Sequence, residues 1–228
     1  MVPGHVETFD GITDKDKNIL IATSHVMLNS IMDNVNEASD TAFYSQPVEG
    51  LDLYDIGKKA VEAFDTRSRF FHFEFFRLGE DKEGLGKKGD IVGLEVNMRA
   101  PGAYMPDMMN FAYNVDVYTI WADMVKYNKC FYDIKRQYWV AYTGRRDGIW
   151  YMHNYDQIRE KYGNQVALET DVPEALAAAM GNHVFIVKAR TQEEIFEMIR
   201  YILKEKMERI GCSERGELNL LFFSIGFK

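Results

Sequence analysis

The strongest constraint on this chain is a pair of segments, Phe71-His72-Phe73-Glu74-Phe75-Phe76 and Ile91-Val92-Gly93-Leu94-Glu95-Val96-Asn97-Met98-Arg99. Aromatic and β-branched residues fill both, and polar residues recur at every second position, the period of a β-strand. Phe71, Phe73 and Phe75 share one face of the first strand; His72 and Glu74 share the other. In the second, Val92, Leu94, Val96 and Met98 are expected to point one way and Glu95, Asn97 and Arg99 the other. The polar, glycine-rich segment 79–90 suits a long hairpin loop between them. Antiparallel pairing then gathers Glu74, Glu95, Asn97 and Arg99 on one surface. Two carboxylates and an amide oxygen are hard ligands that suit Mg2+ or Mn2+. The arginine supplies a fixed positive charge for a phosphate or acyl-phosphate oxygen. The plain alternative is a solvated strand face carrying an ordinary Glu–Arg pair. Acids set among so many phenylalanines are poorly placed to face bulk water, which favours the first reading.

These residues also carry a resemblance. Phe-His-Phe-Glu-Phe-Phe followed by Leu-Glu-Val-Asn-Met-Arg-Ala-Pro-Gly-Ala resembles the second half of an ATP-grasp domain, the superfamily of biotin carboxylase, carbamoyl-phosphate synthetase and the amino-acid ligases that make dipeptides. Its signature is a strand glutamate followed by a strand reading Glu-x-Asn-x-Arg. The resemblance implies that Glu74, Glu95 and Asn97 hold Mg2+ on the phosphates of ATP, and that Arg99 is a catalytic charge on the transferring group. Gly4-His5-Val6-Glu7 is similar to the family strand that contacts the nucleotide, which makes His5 and Glu7 candidate cofactor-binding residues beside Glu74 and Glu95. A strand-end histidine and glutamate facing water is the alternative for that pair. Where many relatives carry Gly-Gly after the arginine, this chain has Pro101-Gly102-Ala103, a departure at the loop that meets the acyl substrate.

With 228 residues, 46% of them hydrophobic, the chain can bury one sizeable core or two small ones. The formal charge of −8, with no basic stripe, argues against a nucleic-acid partner. Cys130 and Cys212 lack metal-type spacing and fit free thiols of a reducing, cytoplasmic compartment. No stretch approaches the roughly 20 apolar residues that span a bilayer, and no signal peptide opens the chain.

Taken in order, Gly4–Ile12 and Ile19–Thr23 are predicted to form a hairpin about a turn at Asp14–Asn18. Asp33–Asp40 reads as an exposed loop. Leu51–Phe64 is a helix whose buried stripe is Ile56, Ala60, Val61 and Phe64. After Arg99 the prolines turn the chain away, Asp107 is placed to cap a helix over Met108–Tyr113, and a second helix covers Val117–Val125. Further on come strands at Gln137–Tyr142, Ile149–Met152, Val166–Leu168 and Asn182–Ala189. Helices follow at Tyr155–Tyr162 (capped by Asn154), Pro173–Met180 and the segment opened by Thr191. Along this last helix Ile195, Ile199, Ile202 and Leu203 make the apolar side. Leu218–Phe227 is apolar enough for a final strand. His153 and His183 have no carboxylate at ligand spacing and read as structural.

The fold expected is α+β: the antiparallel sheet of the C-terminal ATP-grasp lobe over 1–128, flanked by helices, with a small α/β subdomain over 129–228. The family's phosphate-contacting lysines and glycine-rich lid precede the strand resembling Gly4–Glu7, so the resemblance covers the second half of the domain and reads as a fragment. It implies an ATP-dependent carboxylate–amine or carboxylate–thiol ligase working through an acyl phosphate, with ATP and a small carboxylate as substrates. The isolated chain is then expected to be weakly active or inactive. A non-catalytic binding domain that needs a partner chain is the alternative, and the aromatic content leaves room for a homo-oligomeric interface.

Overall fold

The computed structural model describes residues 4–28 and 40–206. Most of Asp33–Asp40, together with Cys212 and Leu218–Phe227, lies outside them. Eight strands form one sheet: β1 (Gly4–Thr13), β2 (Ile19–Met27), β3 (Thr41–Gln46), β4 (Arg69–Leu78), β5 (Ile91–Asn97), β6 (Trp139–Arg145), β7 (Val166–Asp171) and β8 (His183–Ala189). Their order across the sheet is β5-β4-β1-β2-β3-β6-β8-β7, and every neighbouring pair is antiparallel. The sheet is continuous across the expected boundary at residue 128, because β6 pairs with β3. Among the described residues six α-helices complete the α+β fold: α1 (Asp52–Ala63), α2 (Met105–Tyr113), α3 (Val117–Tyr127), α4 (Tyr155–Tyr162), α5 (Glu174–Met180) and α6 (Gln192–Ile202). No helix among the described residues is long and apolar enough to cross a membrane.

Strand alternation divides the core between the two faces of the sheet. On one face Phe9, Phe71, Phe73 and Phe75 pack with Leu53 and Val61 of α1, and further along Phe185 and Val187 pack with Ile195, Met198 and Ile199 of α6. On the other, Ile12, Phe43, Phe70, Tyr142 and Ile186 meet the methionine-rich α2 and α3 and Met180 of α5.

Several expectations are corrected. The buried stripe of α1 is Leu53, Gly57 and Val61, while Phe64 is the C-cap and 55% exposed. Gly57 has no room for a side chain, since a Cβ there would lie 2.3 Å from the ring of Phe9. Helix α2 begins at Met105, with Asp107 in its first turn rather than at its cap, because Pro106 has a φ suited to a first turn and no N–H to satisfy. Strand β6 runs on to Arg145. Gly144 lets it pass the backbone of α5, where an added Cβ would sit 1.9 Å from the Met180 carbonyl oxygen. Ile149–Met152 is not a strand; it makes only an isolated bridge from Tyr151 to Glu205. The caps at Asn154 and Thr191 and the hairpin connection 79–90 are as expected.

Candidate functional site

The site lies at the β1–β4–β5 edge of the sheet. Phe71–Phe76 and Ile91–Asn97 do pair antiparallel, with Glu74 directly opposite Glu95 and His72 opposite Asn97. The register shifts between Glu74 and Phe75, so that Phe75 faces Gly93 and Phe76 faces Val92. Leu94 is the extra residue of this bulge and is 56% exposed. A bulge inverts the facing of everything beyond it. Val92 therefore lies on the face of His72 and Glu74, opposite to Val96, which corrects the uninterrupted alternation expected of this strand. Glu95 and Asn97 stay on the Glu74 face because they lie on the regular side of the shift.

Beneath Glu74 lies a buried polar network with no counterpart among the sequence-based candidates. Asp10 stands opposite His72 on β4 and Thr23 on β2. Its Oδ1 accepts from His72 Nδ1 at 2.5 Å, and its Oδ2 accepts from His25 Nδ1 at 2.7 Å and from the Thr8 hydroxyl. His72 Nε2 donates in turn to Glu74 Oε1 at 3.2 Å. Burial by itself would raise the Asp10 carboxyl, but the hydrogen bonds from His25 and His72 outweigh it and hold the pKa at about 2. Burial likewise opposes charge on His72, and the bonds to Asp10 and Glu74 overcome it, lifting its pKa to about 9. At neutral pH the arrangement is thus a carboxylate–imidazolium pair whose second nitrogen fixes Glu74.

Among the described residues the Glu95 side chain makes no hydrogen bond or ion pair, and the Asn97 amide nitrogen is buried without a partner. Arg99 is exposed and, among the described residues, donates only to the Ala100 carbonyl oxygen, at 2.9 Å. His72, Glu74 and Arg99 meet at a cavity of ≈ 160 Å³ whose other walls include Met27, Phe43, Met105 and Met180. Gly102 and Ala103 close one side of it, and Ala103 adopts φ 50°, the left-handed conformation that a glycine takes without steric cost.

His5 and Glu7 are not brought to this site. Their register with Arg77 and Phe75 puts them on the opposite face of the sheet. There Glu7 is buried and accepts from His5 Nε2 at 2.8 Å and from both Arg77 Nε at 2.7 Å and Arg77 Nη2 at 3.0 Å, while Arg77 also holds Asp52. Burial tends to raise the Glu7 pKa, and the bonds from His5 and Arg77 reverse that to a net lowering. The pair is a closed ion network at the start of β1. His153 stacks on Tyr201, and His183 does have carboxylate partners, Asp171 at 2.6 Å and Glu169 at 3.2 Å, brought to it across the β7–β8 ladder.

No protein-family model and no curated protein matches the sequence. Solved structures do. The L-amino acid ligase from Bacillus licheniformis superposes with a TM-score of 0.63 at 13% identity, over 88% of this chain and 52% of its own. The phosphoribosylaminoimidazole carboxylase ATPase subunit from Aquifex aeolicus gives 0.58 at 13% identity, over 89% and 57%. The carboxyaminoimidazole ribonucleotide synthase from Aspergillus clavatus, complexed with ATP, gives 0.53 at 14% identity, over 87% and 50%. The fold is that of the ATP-grasp enzymes. The chain spans about half the length of the ATP-grasp structures it matches.

A divalent cation fits the residues present. Glu74 and Glu95 are like charges directly opposed across a ladder, and the His72 imidazolium bonds Glu74 alone, so the Glu95 side chain has no counter-charge among the described residues. Among the described residues no group of three or more His, Cys, Asp and Glu converges as a complete metal cage. Mg2+ asks for less, since it is typically held by one or two carboxylates and completes its shell with phosphate oxygens and water.

Proposed function

We propose that this chain supplies the metal–phosphate lobe of an ATP-dependent ligase that joins a small carboxylic acid to an amine or thiol through an acyl phosphate. The observation that carries the reading is the direct opposition of Glu95 to Glu74, which itself lines the Arg99 cavity, on a sheet with the ATP-grasp fold. Glu74, Glu95 and Asn97 would hold Mg2+. Bound there, the ion would neutralise phosphate charge and orient the nucleotide. Arg99 would place its free guanidinium donors against the anionic oxygen of the acid or its acyl phosphate. His72 keeps Glu74 in place from below, because its ring is locked by Asp10. The hairpin face thus contributes positioning and charge, which is most of what phosphoryl transfer asks of a protein.

The likeness in fold covers about half of each neighbouring structure, so turnover is assigned to the whole enzyme rather than to this lobe alone. Glu95→Gln in the complete enzyme is expected to abolish Mg2+-dependent ATP hydrolysis at saturating substrate while the fold stays intact. Near-native turnover would refute the metal assignment. Calorimetry of the 228-residue chain with Mg2+-ATP separates this from a non-catalytic domain that needs a partner chain. The half-site reading expects weak binding, and micromolar affinity would contradict it.

A further inference from the structure

The cavity beside Arg99 has two chemically different ends. One carries His72, Glu74 and the Arg99 guanidinium. The other is formed by Met27, Phe43, Met105 and Met180, all buried and all apolar. The polar side chain nearest that wall is already occupied, because the Thr41 hydroxyl donates to the Ala179 carbonyl oxygen at 2.7 Å. A charged or hydrogen-bonding tail placed there would lose water and find no partner, a penalty that selects against it. Three thioethers and a phenyl ring instead give a polarisable surface that moulds to aliphatic, thioether or aromatic groups.

We propose that this cavity is the acid-tail subsite: it takes a monocarboxylic acid whose carboxylate lies on Arg99 and whose compact apolar tail fills the methionine–phenylalanine end. This rests on the ligase reading for the fate of the carboxylate, but the tail preference follows from the cavity alone. Its size sets the limit. An apolar cavity of about 150 Å³ accommodates benzene, so ≈ 160 Å³ over both ends matches an acid of about six carbon atoms, its carboxyl carbon included. Acetate would leave the apolar end empty, a dicarboxylate would bury a charge there, and a ten-carbon chain would not fit.

The test is a ladder of sodium salts (acetate, butanoate, hexanoate, benzoate, succinate and decanoate) titrated into the 228-residue chain and followed by ligand-observed NMR. Affinity should rise about fourfold for each added methylene up to hexanoate. Benzoate should bind comparably, while succinate and decanoate should bind at least tenfold more weakly than hexanoate. Arg99→Ala should weaken every acid, and Met180→Ala or Met105→Ala should move the optimum to longer chains. Equal binding of acetate and hexanoate, or no binding of any acid at millimolar concentration, overturns the proposal. So does an unchanged chain-length profile in a methionine variant whose thermal melt shows it folded. Tail-selective binding combined with wild-type turnover in the Glu95→Gln enzyme would uphold this subsite while removing the Glu74–Glu95 metal assignment that carries the ligase reading. Loss of turnover in that enzyme with no tail selectivity would do the reverse.

Discussion

Replacing Asp10 by asparagine tests the electrostatics beneath the site most directly. The side chain is fully buried and its two oxygens serve His72, His25 and Thr8. Asparagine keeps the shape and one acceptor, loses the charge, and turns a donor toward one of the two imidazoles. The lift of the His72 pKa from 6.5 to about 9 corresponds to roughly 3 kcal/mol of preferential stabilisation of the imidazolium. The depression of Asp10 from 3.8 to about 2 corresponds to roughly 2 kcal/mol. These describe largely the same ion pair from its two ends and are not added. The expected loss on Asp10→Asn is therefore about 2–3 kcal/mol near pH 6, below the roughly 3–5 kcal/mol of removing one partner of a buried pair outright, as in Asp10→Ala. Urea unfolding followed by tryptophan fluorescence would read it as a shift of the midpoint at constant slope. The pH dependence has a definite sign. Stability owed to the depressed Asp10 is present above pH 3.8 and lost as pH falls through about 2. Stability owed to the raised His72 is complete below pH 6.5 and lost as pH rises through about 9. The wild-type minus variant difference should hence form a plateau between pH 3.8 and 6.5 and shrink on both sides. A loss under about 1 kcal/mol, or a difference that does not vary with pH, would refute the ion-pair account.

The remaining predictions concern the hairpin face and two backbone positions. Without divalent cation, Glu95→Gln should stabilise the chain by roughly 0.2–1 kcal/mol, since it removes a like charge opposite Glu74. With Mg2+ at tenfold its Kd the wild type should gain about 1.4 kcal/mol and the variant nothing, and thermal melts with and without the ion decide this. Ala103→Gly should stabilise by up to about 1 kcal/mol, because the left-handed φ of 50° costs alanine what glycine does not pay; a lower melting temperature would contradict it. Gly144→Ala should destabilise by about 3 kcal/mol or fail to fold, since its methyl group meets the Met180 carbonyl oxygen; equilibrium unfolding measures it, and a loss under about 1 kcal/mol would show that β6 and α5 can separate freely.

What local pattern could establish, it established well. Period-two alternation located β4 and β5, and their joining loop implied antiparallel pairing, so Glu74, Glu95 and Asn97 were already on one face. Helix caps at Asn154 and Thr191 were legible because a cap is a contact between residues three apart in sequence. The bulge at Leu94 was not legible, since which strand holds an extra residue depends on how the partner's side chains pack. Nor was the separation of His5 and Glu7 from the metal face: four matching residues suggest a strand, but only its register with β4 says which side of the sheet they occupy.

The Asp10–His25–His72 network makes the same point at the centre of the molecule. Asp10, His25 and His72 lie on three different strands, and none belongs to a local motif with the others. The sequence by itself determined the two strands, their polar face and the chemistry that face can hold. The tertiary structure decided which face is buried over which network, and how large a cavity remains beside Arg99. Those depend on long-range pairing and packing, and no short window of residues contains them.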